Sequence, residues 1–378
     1  MSGAHSILPP SGAAAWRRCS LWVSMNQAYP QADTPESLEG NAAHWAVEQM
    51  LTGNMIAEGQ IAPNGIVLTD EMVEGAELVL DTVTTRIPAG HQVHIESSVM
   101  IPSIHEYCWG TPDVWAFIGD VMTLEVLDYK FGHRFVDEFE NDQGIAYIAG
   151  LVDSIAIQLG QGAGMIDQAL KVNFTVIQPR CFHKGASVRT WSVTASDLRA
   201  HINALRMAAE LSLAPNPVAT TNSECRNCPG RHACPALQEA AYADAEFSAQ
   251  SSPIELSPQA ASLELKMLER ALERLQARVE GMQEAVVTYI RQGKAVPWHR
   301  AEQGFGRQQW SVPNEQVVAL GQLMNIDLSK SSVKTPKQAL KAGIDEAVIM
   351  GYTVTPLGAM KLVSDNPADA RRVFGKTN

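Results

Sequence analysis

Residues 110–130 read GTPDVWAFIGDVMTLEVLDYK. Two apolar runs, 112–118 and 121–130, flank the turn signal Gly119-Asp120, so the stretch predicts two adjoining strands. Side chains two apart on a strand share a face, so Asp128 and Lys130 project together. Asp113, on the preceding strand, comes to lie beside Asp128. Two carboxylates and an ammonium therefore converge on one spot. Hard carboxylate oxygens bind Mg²⁺ or Mn²⁺. Such an ion polarises a phosphate and helps make hydroxide from water. The lysine would orient or deprotonate that water, or offset charge in the transition state. The backbone carbonyl of Tyr129 is placed to be a further ligand. The bland alternative is an ion pair at a sheet edge, since a bare D-x-K triplet is common.

Outward from this stretch, the chain alternates in type. Residues 91–101 alternate apolar and polar and read as a strand, and the β-branched run 171–178 reads as another. Residues 36–52 read as a helix with acidic residues near its start, 71–86 as a second, and 141–159 as a third, with apolar positions at helical spacing. Three strands, a helix and a strand make an α/β or α+β sheet domain with helices around it, over residues 1–237. Residues 238–256 are small and polar and read as a linker. Ser257-Pro258 is an N-cap and first-turn pair, opening an amphipathic helix over 257–293. Leu268, Leu272, Leu275, Val279, Met282, Val286 and Tyr289 form a heptad seam on it, which either packs on the rest of the chain or pairs with a second copy. Residues 294–378 carry few landmarks.

Composition narrows the classes. The chain has 378 residues, 46% hydrophobic and 19% charged, enough apolar material for a core. Its formal charge is −12, which argues against coating nucleic acid by electrostatics alone. The imbalance is local: residues 1–237 hold 13 basic and 25 acidic side chains, and residues 238–378 hold 16 of each. No apolar run approaches the ~20 residues that span a bilayer, and the first residues lack the pattern of a secretory leader. Six cysteines are too sparse for a disulfide scaffold, so a cytoplasmic location is expected. A complete phosphate-binding loop is missing, since Gly375-Lys376-Thr377 has Ala370 where the upstream glycine belongs.

Half of the cysteines are concentrated. Cys225, Cys228 and Cys234 give C-x2-C-x5-C, a spacing that gathers sulfurs around one metal centre. A fourth ligand is open among Cys19, Cys108 and Cys181, with His232 as a substitute. Zinc and an iron–sulfur cluster both suit four thiolates.

Taken together these residues resemble the RecB-like exonuclease branch of the PD-(D/E)xK nucleases, the iron–sulfur-containing type similar to CRISPR adaptation nucleases and phage recombination exonucleases. Pro112-Asp113 and Asp128-Tyr129-Lys130 match the name-giving motif. Glu39-Gly-Asn-Ala-Ala-His44 looks like the upstream histidine motif, and Gln143-Gly-Ile-Ala-Tyr147 matches QxxxY. The resemblance, over about residues 5–237, implies a restriction-endonuclease-like mixed sheet with flanking helices, to which the 257–293 helix adds a mainly helical C-terminal extension. It implies His44 as a metal ligand with Asp113 and Asp128, and Gln143 and Tyr147 as supports of the DNA or the site. Cys19 would join Cys225, Cys228 and Cys234 around a [4Fe–4S] cluster that staples the start of the domain to its end. The branch often has proline after the first cysteine, where this chain has Ser20.

The implied activity is Mg²⁺- or Mn²⁺-dependent hydrolysis of DNA phosphodiesters, as an exonuclease on single strands or free ends, in replication, recombination or repair and plausibly in a phage setting. A partner protein of those pathways would deliver substrate, given the acidic charge. Lys130, Arg134, Lys171, Arg180, Lys184 and Arg189, with Arg17, Arg18, Arg226 and Arg231, are candidates to line a DNA channel. Glu39 and Glu96 are candidate helpers. The rival reading is a catalytically silent nuclease-fold module that binds DNA or assembles partners.

Overall fold

The computed structural model describes residues 6–30, 33–160, 162, 168–181, 186–247, 256–297 and 299–301. The expected C-terminal region, 294–378, lies outside them beyond residue 301, as does Lys184. In chain order the main elements are α1 (Ala13–Arg18), α2 (Trp22–Ala28), α3 (Pro35–Leu51), α4 (Asp70–Arg86), β1 (His94–Ile95), β2 (Val99–Met100), β3 (Trp109–Gly110), β4 (Val114–Ile118) and β5 (Thr123–Tyr129). There follow α5 (Asp142–Gln158), β6 (Lys171–Ile177), β7 (Val188–Thr194), α6 (Arg199–Ser212), α7 (Pro235–Phe247) and α8 (Pro258–Arg291).

Five strands form one mixed sheet in the order β1-β4-β5-β6-β7. β4 and β5 are antiparallel with Val114 opposite Leu127, which continues to Asp113 beside Asp128. β5 and β6 are parallel, with α5 in the connection between them. β5 is buried along its whole length, because helices cover both faces. On one face Leu124 and Val126 join Ile145, Ile148 and Leu151 of α5 in the larger core. On the other, Leu127 and Tyr129 pack with Ala42, Ala43 and Ala46 of α3 and Val79 of α4. α5 lies close to the sheet at Gly144, where a Cβ would come within 2.6 Å of the Phe174 ring.

Local chemistry starts the helices where they start. Thr34 and Ser37 form a reciprocal capping box that spans Pro35. Asn141 accepts from the Gly144 N–H at 3.0 Å and opens α5. Ser257 caps α8 ahead of Pro258, as expected.

Three expectations change. The strand over 91–101 is two short strands in different sheets, broken at Glu96, whose φ is +43°. Residues 238–247, expected as linker, continue α7: their alanines favour helix, and Leu237 and Ala241 are buried. The heptad seam is not the face by which α8 docks. Ala277, Gly281 and Ala285 are buried, whereas Leu268, Leu272, Val279, Met282 and Tyr289 are exposed. Small residues permit the close approach, since a Cβ on Gly281 would stand 2.7 Å from Arg231 Cγ. β7 and α6 were not foreseen, although Val188–Thr194 has the β-branched content of a strand.

Candidate active site and cysteine centre

The C-terminal end of β5 collects the polar residues. Asp113 precedes β4, and its Oδ2 accepts from the Tyr129 N–H at 2.6 Å, which pins the carboxylate across the strand pair. Its Oδ1 lies 3.4 Å from His44 Nδ1 on α3. The Glu96 backbone N–H donates to the Asp113 carbonyl at 2.9 Å, and Glu96 Oε1 comes within 3.8 Å of the same His44 nitrogen. His44, Glu96 and Asp113 each offer one atom to a group whose ligand atoms all lie within 4.8 Å of one another. The His44 ring also stands edge-on to Tyr129, with centroids 5.3 Å apart.

Next to this trio, Asp128 Oδ1 accepts from Lys130 Nζ at 3.0 Å and from Gln143 Nε2 at 3.3 Å. Gln143 Oε1 in turn accepts from Lys130 Nζ at 3.3 Å, and Gln143 Nε2 reaches the Tyr147 hydroxyl at 3.5 Å. Residues 143 and 147 are one helical turn apart, so both face β5. Asp128 Oδ2 is buried and has no hydrogen-bond partner among the described residues. An unpaired anionic oxygen at such depth is costly, and a cation would relieve it.

The charges respond to each other. Burial opposes the charged form of His44, but the Asp113 carboxylate and hydrogen bonds to Asp113 and Glu96 prevail, and its pKa stands at about 10. Burial works to raise the Asp113 pKa, but the neighbouring His44 outweighs it and the value is lowered. Asp128 is pushed up by burial, against the pull of Lys130 and with the repulsion of Asp113. Lys130 is held above its ordinary value despite burial, because Asp128 and Asp113 stabilise its charge. It is thus an ammonium at neutral pH.

The cysteines make a second centre. Cys19, Cys225, Cys228 and Cys234 line one cavity with Leu21, Trp22 and Met25. The Thr220 N–H donates to Cys19 Sγ at 3.4 Å and the Asn222 N–H to Cys225 Sγ at 3.3 Å. Ser20, at the position where proline was expected, bonds Val218 twice, its Oγ donating to the carbonyl at 2.9 Å and accepting from the N–H at 2.8 Å. Burial, opposed by the Gly230 N–H and reinforced by the other sulfurs, pushes the Cys228 thiol up to about 11. Four sulfurs with backbone N–H donors are the donor set of a thiolate-bound metal. Cys108 and Cys181 are buried elsewhere.

A family model described as a protein of unknown function, DUF2800, matches residues 5–369. The chain belongs to the DUF2800 family. No curated protein matches it. Twelve chains of solved structures do. One is the crystal structure of a Eubacterium rectale protein named, provisionally, as an exonuclease: 9% identity, 67% of this chain and 91% of that one covered, TM-score 0.35. So loose a likeness bears on neither fold nor activity.

In this DUF2800 chain, Asp113, Asp128, Lys130, Gln143, Tyr147 and His44 stand together at one end of β5. Tyr129 contributes its amide to Asp113, while its side chain turns into the core against Gly75. Glu96 belongs to the trio with His44 and Asp113, though its weight was not legible in the sequence: a left-handed residue after a short edge strand has no motif. Glu39 does not join. It pairs bidentately with Arg180 at 2.8 and 2.9 Å, and Arg180 also holds Glu71 at 2.9 Å.

Most candidate DNA-channel cations of the DUF2800 chain are occupied as well. Arg17 and Arg18 hold Asp142, Arg189 holds Glu138, Arg226 holds Glu280 and Arg231 holds Glu284. Arg134 and Lys171 are exposed. Among the described residues no helix is long and apolar enough to cross a membrane.

Proposed function

We propose that this chain is a metal-dependent deoxyribonuclease, an exonuclease of restriction-endonuclease-like build that hydrolyses DNA phosphodiesters. The observation that carries the reading is the unpaired, buried Asp128 Oδ2 beside Asp113, with His44 and Glu96 completing an oxygen-rich set. That donor set suits Mg²⁺ or Mn²⁺. Asp113, Asp128 and His44 would hold the ion, with Glu96 and the Tyr129 carbonyl as further ligands. When bound, such an ion polarises the phosphate and lowers the pKa of its water. His44 must release its proton to solvent before its nitrogen can ligate, while Asp113 stays a carboxylate. Lys130, charged through its acidic neighbours, orients the attacking water and offsets negative charge on the phosphate oxygens. Gln143 holds Asp128 and Lys130 in mutual register, and Tyr147 buttresses Gln143. The cysteine set fits a [4Fe–4S] cluster with zinc as its rival. Visible absorbance of anaerobically purified protein separates the two.

The test is incubation with end-labelled single- and double-stranded DNA, with Mn²⁺ and with chelator. Cleavage that needs Mn²⁺ and is lost in Asp113→Ala and Lys130→Ala supports the reading. Intact DNA under every metal condition sinks it, and retained DNA binding alongside would favour the silent module.

A further inference from the structure

The two centres are joined by an ion-pair bridge. α1 ends at Arg18, and Cys19 follows directly as its C-cap. Arg17 Nη1 pairs with Asp142 Oδ1, and Arg18 Nη1 with Asp142 Oδ2 at 3.2 Å. The Asp142 side chain is only 4% exposed, so this carboxylate has little water to fall back on. Asp142 is the first residue of α5, and Gln143 is the second. The path therefore runs from a cysteine of the second centre, through two arginines and one buried acid, to the amide that touches both Asp128 and Lys130.

An acid in the first helical turn already gains from the helix dipole. That gain needs no arginine and no burial, so the double pairing calls for its own explanation. Asn141 separately fixes the backbone turn, with its Nδ2 donating to the Asp137 carbonyl at 2.7 Å. The cap thus defines where α5 starts, and the arginines tie that start to α1 and the cysteine segment.

We propose that Arg17, Arg18 and Asp142 are positioning residues that transmit the constraint of the cysteine centre to Gln143, so that loosening the centre misaligns Asp128 and Lys130. The proposal rests on the nuclease reading for its consequence in activity, but the bridge itself is testable without it. The probe is the side-chain amide resonance of Gln143 in glutamine-labelled protein, assigned by its loss in Gln143→Asn. In Arg17→Ala/Arg18→Ala the resonance moves toward the free-glutamine position, and Arg17→Lys/Arg18→Lys recovers most of the shift. Cys228→Ala, or Cys225→Ser where that variant does not fold, moves it in the wild-type background and not in the arginine-free one. An unmoved Gln143 amide in Arg17→Ala/Arg18→Ala overturns the bridge. An unmoved amide in the cysteine variants overturns the link to the centre. Mn²⁺ titration is the second readout: supporting-residue losses typically cost about tenfold or more in metal affinity. That loss should appear for Arg17→Ala/Arg18→Ala and vanish when Gln143→Ala is already present. Additive losses overturn the proposal. A chain that binds no Mn²⁺ while its Gln143 amide still answers to the arginines refutes the nuclease reading and supports the bridge.

Discussion

Burial by itself would strip the proton from His44; the carboxylates of Asp113 and Glu96 keep it on. The folded pKa, about 10, lies above the ordinary 6.5. The charged ring therefore contributes stability that is fully present below pH 6.5 and lost as pH rises through 10. In chelator, Asp113→Asn should drop the His44 titration midpoint, followed by its ring proton resonance, to 6.5 or below. An unchanged midpoint would mean that Asp113 is not the partner. Glu96 allows a separate test, because its φ of +43° is strained for any residue with a Cβ. Glu96→Gly and Glu96→Ala both remove the proposed ligand oxygen and should weaken Mn²⁺ binding alike. Glu96→Gly should nevertheless melt higher, by about 1 kcal/mol in stability, because it relieves the strain that Glu96→Ala retains. Equal melting points would refute the strained geometry.

At the scale of elements, α8 separates pattern from packing. Its heptad seam satisfies the spacing of a coiled coil, yet the chain docks it through Ala277, Gly281 and Ala285 against the cysteine segment. Arg278, bonded to the carbonyls of Arg231 and His232, and Arg274, paired with Asp244 at 2.6 Å, fasten that side. Leu272 is 64% exposed, so Leu272→Gln should leave the melting temperature unchanged, within about 0.5 kcal/mol. Gly281→Val forces branched atoms into Arg231 and should cost about 1–3 kcal/mol. The opposite ranking in thermal melts would show that the seam is the packed face.

Across the whole molecule, the cysteine centre brings Cys19 together with a segment some two hundred residues later. Closing so long a loop removes much freedom from the unfolded chain, and metal binding to a preformed site adds folding free energy. Cys228→Ala should lower both metal content and melting temperature; a full complement of metal with an unchanged melting curve would refute the staple. Charge acts at the same scale. With −12 overall, and with Arg17, Arg18, Arg180, Arg189, Arg226 and Arg231 each paired to acids of the same chain, few of the candidate channel cations among the described residues are left for phosphates. DNA binding should therefore be weak, and its salt dependence shallow, since each phosphate neutralised contributes a slope of about −0.9. A slope as steep as that of a many-contact binder would show that the pairs open on DNA.

Read alone, the sequence already determined much: the strand pair around Gly119-Asp120, the cap at Ser257, the C-x2-C-x5-C spacing, and the meeting of Asp113 with Asp128 and Lys130. These follow from period, turn chemistry and short separations, which act within a few residues. Contacts between distant segments were decided only in three dimensions. Glu96 joins His44 because a backbone bond to Asp113 turns it there, Glu39 leaves because Arg180 reaches it from beyond β6, and Arg17 and Arg18 meet Asp142 more than a hundred residues along the chain. Charge pairing depends on distance in space, and a linear pattern carries no record of which acid will stand nearest to which base.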